Sequence, residues 1–332
     1  MWRNTPIEEY LEKGLQSHFS KEVADSYYGL YTTTKDYLCQ NIYSEIKGVE
    51  SQLTDHSERH IQNVLNMAWE LITSSDDEHG FNIIEIYLLC TCILFHDVGN
   101  VLGRDGHQTK IADIFDRTRA RHNNHNQEKQ LVLRIAKAHC GKSKKGDRDT
   151  LSEIGTQSHL FDQPVRIREI AAILRFADEL SEGPQRTSQY MIDKGLFSNA
   201  SLIYHKYASI TQVFVDKGNG RIALTYNIDY PVAEVDFKEL LSFTLQRIIK
   251  LDTERRYCKY YAPCLDRIKK TEASINFLVC GDLCDYDIPK ICLEDKYSLV
   301  EEGIDDLIKS IPGLDDIDTV NNKLEKLIQK TE

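Results

Sequence analysis

A mainly α-helical fold with a small β-hairpin and an α+β C-terminal region is what this 332-residue sequence predicts. Apolar residues recur at helical spacing in one segment after another between positions 55 and 180. The run 83–95 is apolar almost throughout, as the central helix of such a core must be, whereas period-two alternation is confined to the region after position 200.

Taken in chain order, residues 7–46 form helices that offer Tyr10, Leu11, Leu15, Tyr27, Tyr31 and Leu38 for packing on the core or a partner. Asp55 and Glu58 resemble a capping box, and the helix they start carries Ile61, Val64, Leu65, Ala68, Leu71 and Ile72 on one face, with His60 in its second turn on that same face. The run 83–95 ends on His96-Asp97. His107 precedes Ile111, Ile114 and Phe115 by one and two turns. His139 closes the stripe Leu131, Val132, Ile135, Ala136, and Asp178 closes the stripe Ile170, Leu174, Ala177. Ser181-Glu182-Gly183-Pro184 then breaks the helix. Segments 201–215 and 221–230 alternate and form a hairpin closed by Lys217-Gly218-Asn219-Gly220. Residues 237–269 form one or two long helices, 274–279 a strand, and 296–310 and 316–330 helices. The resulting divisions are an N-terminal helical segment 1–48, a metal-binding helical core 49–195, a hairpin 196–232, and a C-terminal region 233–332 for dimerisation, capping or partner binding.

Six ligand-type side chains, His60, His96, Asp97, His107, His139 and Asp178, thus end on core-facing stripes. Left unpaired they would cost about 6–18 kcal/mol, at roughly 1–3 each, which rivals the whole stability of a domain. A shared cation removes that cost. Imidazole and carboxylate suit Fe, Mn, Zn, Ni or Co, with Mg as a further candidate, and a set without cysteine argues against a closed structural zinc site. Two ions could share Asp97, one held by His60, His96 and Asp178 and the other by His107 and His139. Water between them would ionise near neutral pH and attack phosphorus.

The order His60, His96-Asp97, Asp178 resembles the HD-domain superfamily of metal-dependent phosphohydrolases, and His107 with His139 is similar to the added pair of its binuclear members. The local stretches 55–64, Phe95-His96-Asp97-Val98-Gly99, and 174–180 resemble its first-histidine helix, its namesake motif and its closing aspartate helix. The resemblance implies a helical core and hydrolysis of a phosphoester or phosphoanhydride, usually of a nucleotide. Two departures qualify it. Asn100 stands where many relatives have lysine, and the Gly-Tyr-Pro signature is absent, which speaks against the cyclic-di-GMP branch.

Around this centre, Arg175, Lys142 and Arg104 are candidates to offset phosphoryl charge, and Asp55 or His125 to protonate the leaving group. His125 is also the alternative ligand for the second ion, although its polar surroundings read as a solvated helix start. A basic loop of Lys142, Lys144, Lys145 and Arg148, joined by Arg166, could clamp phosphate, and Arg186, His205 and Lys206 could touch substrate.

Lys and Arg number 41 against 52 Asp and Glu, a net charge of −11 that disfavours a long nucleic-acid groove. Nine cysteines without a regular framework suit a reducing compartment. Cys280, Cys284 and Cys292 form the closest set and lack a fourth zinc ligand nearby. A polar N-terminus, and an apolar run too short for a bilayer and interrupted by Glu85, predict a cytoplasmic enzyme with no membrane partner. The expected partners are a nucleotide or small phosphate substrate and a second copy of the chain. Alternatives to a nucleotide phosphohydrolase are a metal-dependent single-strand nuclease and a non-catalytic nucleotide sensor or interaction module.

Overall fold

Pro6, whose ring presets a helical φ, opens helix α1 (Pro6–His18), and Glu8 closes the cap by accepting from the Thr5 backbone N–H at 2.8 Å. Helix α2 (Lys21–Leu38) runs through a π-turn at Cys39–Tyr43 into α3 (Ser44–Val49). Next come α4 (Glu58–Ile72), α5 (Ile83–Phe95), α6 (Ile111–Thr118) and α7 (His125–Lys137), with 3-10 turns at Val98–Leu102 and His107–Thr109 between α5 and α6. A short antiparallel pair, β1 (Ser158–Leu160) and β2 (Gln163–Val165), precedes α8 (Ile167–Leu180). These coordinates are a computed structural model that describes residues 2–331 apart from 75, 77, 141–145, 147, 280, 287 and 296–302.

The chain divides into two compact units, Met1–Ser181 with Cys258–Asp266, and Glu182–Tyr257 with Arg267–Glu332. In the first, every residue of α5 is buried, as its apolar circumference demands. Helices α1, α2, α4, α7 and α8 pack around it. Asn82 caps it by accepting from the Ile84 and Glu85 N–H groups, and Glu85 accepts from the Asn82 N–H. The segment Ile83–Leu102 does reach the length and hydropathy of a membrane span, and residues 83–100 of it are buried in this unit, with Leu102 exposed.

The second unit contains α9 (Gln189–Asp193), α10 (Asn199–Ile210), β3 (Thr211–Asp216), β4 (Arg221–Tyr230), α11 (Phe237–Tyr261) as far as Tyr257, β5 (Lys270–Val279), β6 (Asp282–Leu283), β7 (Ile291–Glu294), α12 (Ile304–Ser310) and α13 (Ile317–Thr331). Strand β4 pairs antiparallel with β3 and parallel with β5, so the link from β4 to β5 is a crossover that runs through α11. Burial alternates residue by residue along β4. The hairpin starts at Thr211 rather than Ser201. Ile203, Tyr207 and Ile210 recur at helical spacing, and 199–210 is helix despite its β-branched content.

Candidate metal centre

Four helices end at one place in the first unit. Ser57, not Asp55, caps α4, accepting from the Arg59 N–H at 3.3 Å, while the Asp55 carboxylate accepts from the Ser57 N–H and hydroxyl. His60 therefore lies in the first turn of α4 rather than the second. His96 is the C-cap of α5, and Asp97 starts the 3-10 turn that follows. His139 comes just past the end of α7, and Asp178 lies in the last turn of α8. His107 opens the second 3-10 turn. Gly99 lets the two turns meet, because a Cβ there would lie 2.7 Å from the His107 carbonyl carbon. Gly99→Ala is expected to cost about 1–3 kcal/mol through this backbone overlap. Urea unfolding measures it, and an unchanged midpoint would mean that the turns have room.

All six predicted ligands converge. His60, His96, Asp97 and Asp178 offer donor atoms within 4.8 Å of one another. His60 Nε2 lies 3.1 Å from Asp178 Oδ1 and 3.7 Å from Asp97 Oδ2, and His96 Nε2 lies 3.4 Å from Asp97 Oδ2 and 3.7 Å from Asp178 Oδ1. The other oxygen of Asp97, Oδ1, faces His107 Nε2 at 3.3 Å and His139 Nε2 at 3.6 Å. One carboxylate thus looks at two donor groups through two different oxygens.

The tautomers follow from the backbone. His96, His107 and His139 each place Nδ1 on a main-chain carbonyl, of Ile93, Arg104 and Ala136 respectively, which can only accept. Nδ1 must carry the proton, so in the neutral rings Nε2 presents a lone pair to the carboxylates and to the other rings. His107 Nε2 and His139 Nε2 lie 3.3 Å apart, lone pair against lone pair. His96 Nε2 and Asp97 Oδ1 are buried and make no hydrogen bond of normal geometry among the described residues. A cation in each donor group would satisfy these atoms. Donors about 2.0–2.2 Å from a shared ion fall roughly 3.0–3.5 Å apart, close to the separations seen.

Protons take the cation's part otherwise. Burial pulls His96 down, yet Asp97 and Asp178 outweigh it and push the imidazole up to about 9. His107 and His139 are likewise raised against their burial, chiefly by Asp97. Burial raises the Asp97 and Asp178 carboxyls, but the surrounding imidazoles hold both well below the ordinary range. A site that raises proton affinity this way favours positive charge, and an ion entering it would release those protons.

Two residues at the centre had not been expected. Cys140 Sγ lies 3.6 Å from His139 Nε2 and 3.9 Å from His107 Nε2, so the second donor group does contain a cysteine. Burial raises its thiol, but the two imidazoles bring it down to about 6. His56 Nε2 lies 3.8 Å from Asp97 Oδ2, and its ring packs beside His60. Adjacency was the available signal for Cys140, since His139-Cys140 repeats the pairing of His96-Asp97. His56 stands four residues before His60 but outside the helix, where stripe arguments do not reach.

The other expected site residues lie outside the two donor groups. His125 joins neither donor group and is buried rather than solvated: it lies at the start of α7 against Phe115, with Nε2 3.4 Å from Asp116. Arg166 belongs to the scaffold rather than a mobile clamp, paired with Glu85 at 2.6 Å and Glu169 at 3.1 Å. Arg175 is buried and donates to the Thr150 hydroxyl at 2.9 Å and the Cys140 carbonyl at 3.5 Å. Arg104 is exposed, with its guanidinium 3.3 Å from the Asn100 side-chain oxygen. Lys142, Lys144 and Lys145 lie outside the described residues, and Arg148 is exposed. Arg186, His205 and Lys206 are buried in the second unit, on a 3-10 turn and on α10 rather than on a strand. There His205 stacks on Phe197 and meets the Thr187 hydroxyl, and Lys206 pairs with Glu234 at 2.8 Å. Cys280 is outside the described residues, and no metal-type group includes Cys284 or Cys292 among those described.

The family model described as HD-CE matches residues 50–255, a span that begins ahead of the first-histidine helix and takes in every residue of both donor groups. No curated protein and no solved structure matches the chain.

Proposed function

The chain belongs to the HD-CE family, an HD-domain-type fold, and on that premise we propose that it is a divalent-metal-dependent phosphohydrolase acting on a nucleotide or similar small phosphoester or phosphoanhydride. The observation that carries this reading is Asp97, whose two oxygens face separate donor groups 3.3–3.7 Å away. Divalent ions there would acidify water and polarise a phosphoryl group.

The chain's own residues supply the rest. Carbonyls of Ile93, Arg104 and Ala136 fix three imidazoles with Nε2 inward, so little is lost to reorientation when ligation occurs. Arg104, exposed beside Asn100, stands in for the lysine that many relatives carry at that place, and its guanidinium suits a phosphate. His56 directs Nε2 toward Asp97 and is better placed than His125 to carry a proton for the leaving group. Arg175 acts by holding the backbone at Cys140. The net charge of −11 weighs against a polynucleotide substrate.

The test is a screen of protein loaded with Mn, Co, Ni or Zn against nucleoside mono-, di- and triphosphates, cyclic nucleotides, dinucleoside polyphosphates and short single strands. Multiple-turnover release of phosphate or a nucleotide is the expected result. Stoichiometric nucleotide binding with no product after prolonged incubation would replace the enzyme with a sensor.

A further inference from the structure

We propose that the Cys140 thiolate is a ligand of the second ion, and that this position selects a zinc-type ion over manganese or magnesium. The inference rests on reading the centre as a metal site and adds the identity of one ligand and one ion. Three donors, His107 Nε2, His139 Nε2 and Cys140 Sγ, lie within 4.8 Å of one another, and Asp97 Oδ1 faces the two imidazoles at 3.3 and 3.6 Å as the fourth.

Geometry favours a tetrahedral ion. With nitrogen at about 2.1 Å and sulfur at about 2.3 Å, a tetrahedral centre separates nitrogen from sulfur by about 3.6 Å and two nitrogens by about 3.4 Å. The separations here are 3.6 and 3.9 Å for sulfur and 3.3 Å between nitrogens. An octahedral ion would draw sulfur and nitrogen to about 3.1 Å at the same bond lengths. The second observation is Asp97 Oδ1, buried with no hydrogen bond of normal geometry among the described residues and directed at the two imidazoles of this group.

Chemistry then sets the ion. A thiolate is a soft ligand that favours zinc and its cobalt(II) surrogate, whereas manganese and magnesium prefer oxygen-rich sets. The first position, with two imidazoles and two carboxylates, is harder. The two positions therefore differ in ligand class, and a mixed-metal centre follows.

Full-length protein reconstituted with cobalt(II) tests this directly. Wild type should bind two cobalt ions per chain and display near-ultraviolet thiolate-to-cobalt charge-transfer absorption. Cys140→Ser should lose that absorption, and its second-ion affinity should fall by more than the roughly 10–100-fold lost with an outer-shell partner. Cys140→Asp, which keeps an anionic donor, should retain two ions without the absorption and shift the second position from zinc toward manganese. Two cobalt ions without charge transfer in wild type, or charge transfer persisting in both variants, overturns Cys140 ligation and leaves the metal centre standing. Wild type that binds no ion overturns the metal-centre reading itself.

Discussion

Asp97→Asn is expected to abolish ion binding at both proposed positions and to lower the proposed phosphate-ester turnover by about 10²–10³-fold or more, the scale of deleting one electrostatic stabiliser. The substitution keeps shape and removes charge. An amide offers a single oxygen acceptor, and its NH₂ group faces whichever imidazole set lost the other oxygen. Because Oδ2 serves His60 and His96 while Oδ1 serves His107 and His139, no rotation of the amide restores both groups. Losing one ligand from an isolated site would leave the other intact; losing the shared one takes both. Metal content and kcat measured on the same preparation check this. A variant that keeps one ion at full stoichiometry would show that Asp97 does not bridge.

Glu128→Ala is expected to cost about 3–5 kcal/mol, the scale of stranding a buried charge. Glu128 on α7 is fully buried and accepts from the Tyr87 hydroxyl of α5 at 2.8 Å and from Arg119 Nε at 3.1 Å, with His122 Nε2 at 2.9 Å. Arg119 continues the network to the Leu30 carbonyl at 2.8 Å and the Thr34 hydroxyl at 3.0 Å on α2. Removing the carboxylate leaves that guanidinium without its counter-charge in the interior. The same network fixes α7 on α5, the helices that deliver His139 and His96, so weaker ion binding should accompany the lost stability.

The pH dependence has a definite sign. Burial pushes the Glu128 carboxyl up, but Arg119 outweighs it and holds the group at about 2, below the ordinary 4.5. The unfolded chain therefore takes up this proton first as pH falls. The contribution is complete above pH 4.5 and is lost as pH falls through about 2. Stability of wild type minus Glu128→Gln, from urea unfolding across that range, should be flat above pH 4.5 and shrink below it. A difference that is constant down to pH 2 would mean that the carboxyl is not held low.

The converging side chains were legible because each is a polar group at one end of an apolar stripe. His96, Asp97, His139 and Asp178 close such stripes, and His60 and His107 show the mirror image at a helix start. Stripe arguments fail where no stripe exists. Cys140 lies beyond the end of α7, and His56 precedes the N-cap Ser57, so neither belongs to a helical face. Composition misled elsewhere. Segment 201–210 is rich in residues that favour strands, yet Ile203, Tyr207 and Ile210 keep helical spacing, and tertiary packing followed the period. The polar stretch around His125 hid a ring that packs on Phe115, and the positive charge of Arg166 hid its pairing with Glu85, because pairing across 81 positions leaves no local trace.

The most direct test of the central claim is turnover of chelator-stripped protein before and after a divalent ion is restored. Stripped protein should be inactive while still folded by circular dichroism, and activity should return as ion occupancy approaches two per chain. Full turnover by protein that elemental analysis finds metal-free would contradict the account.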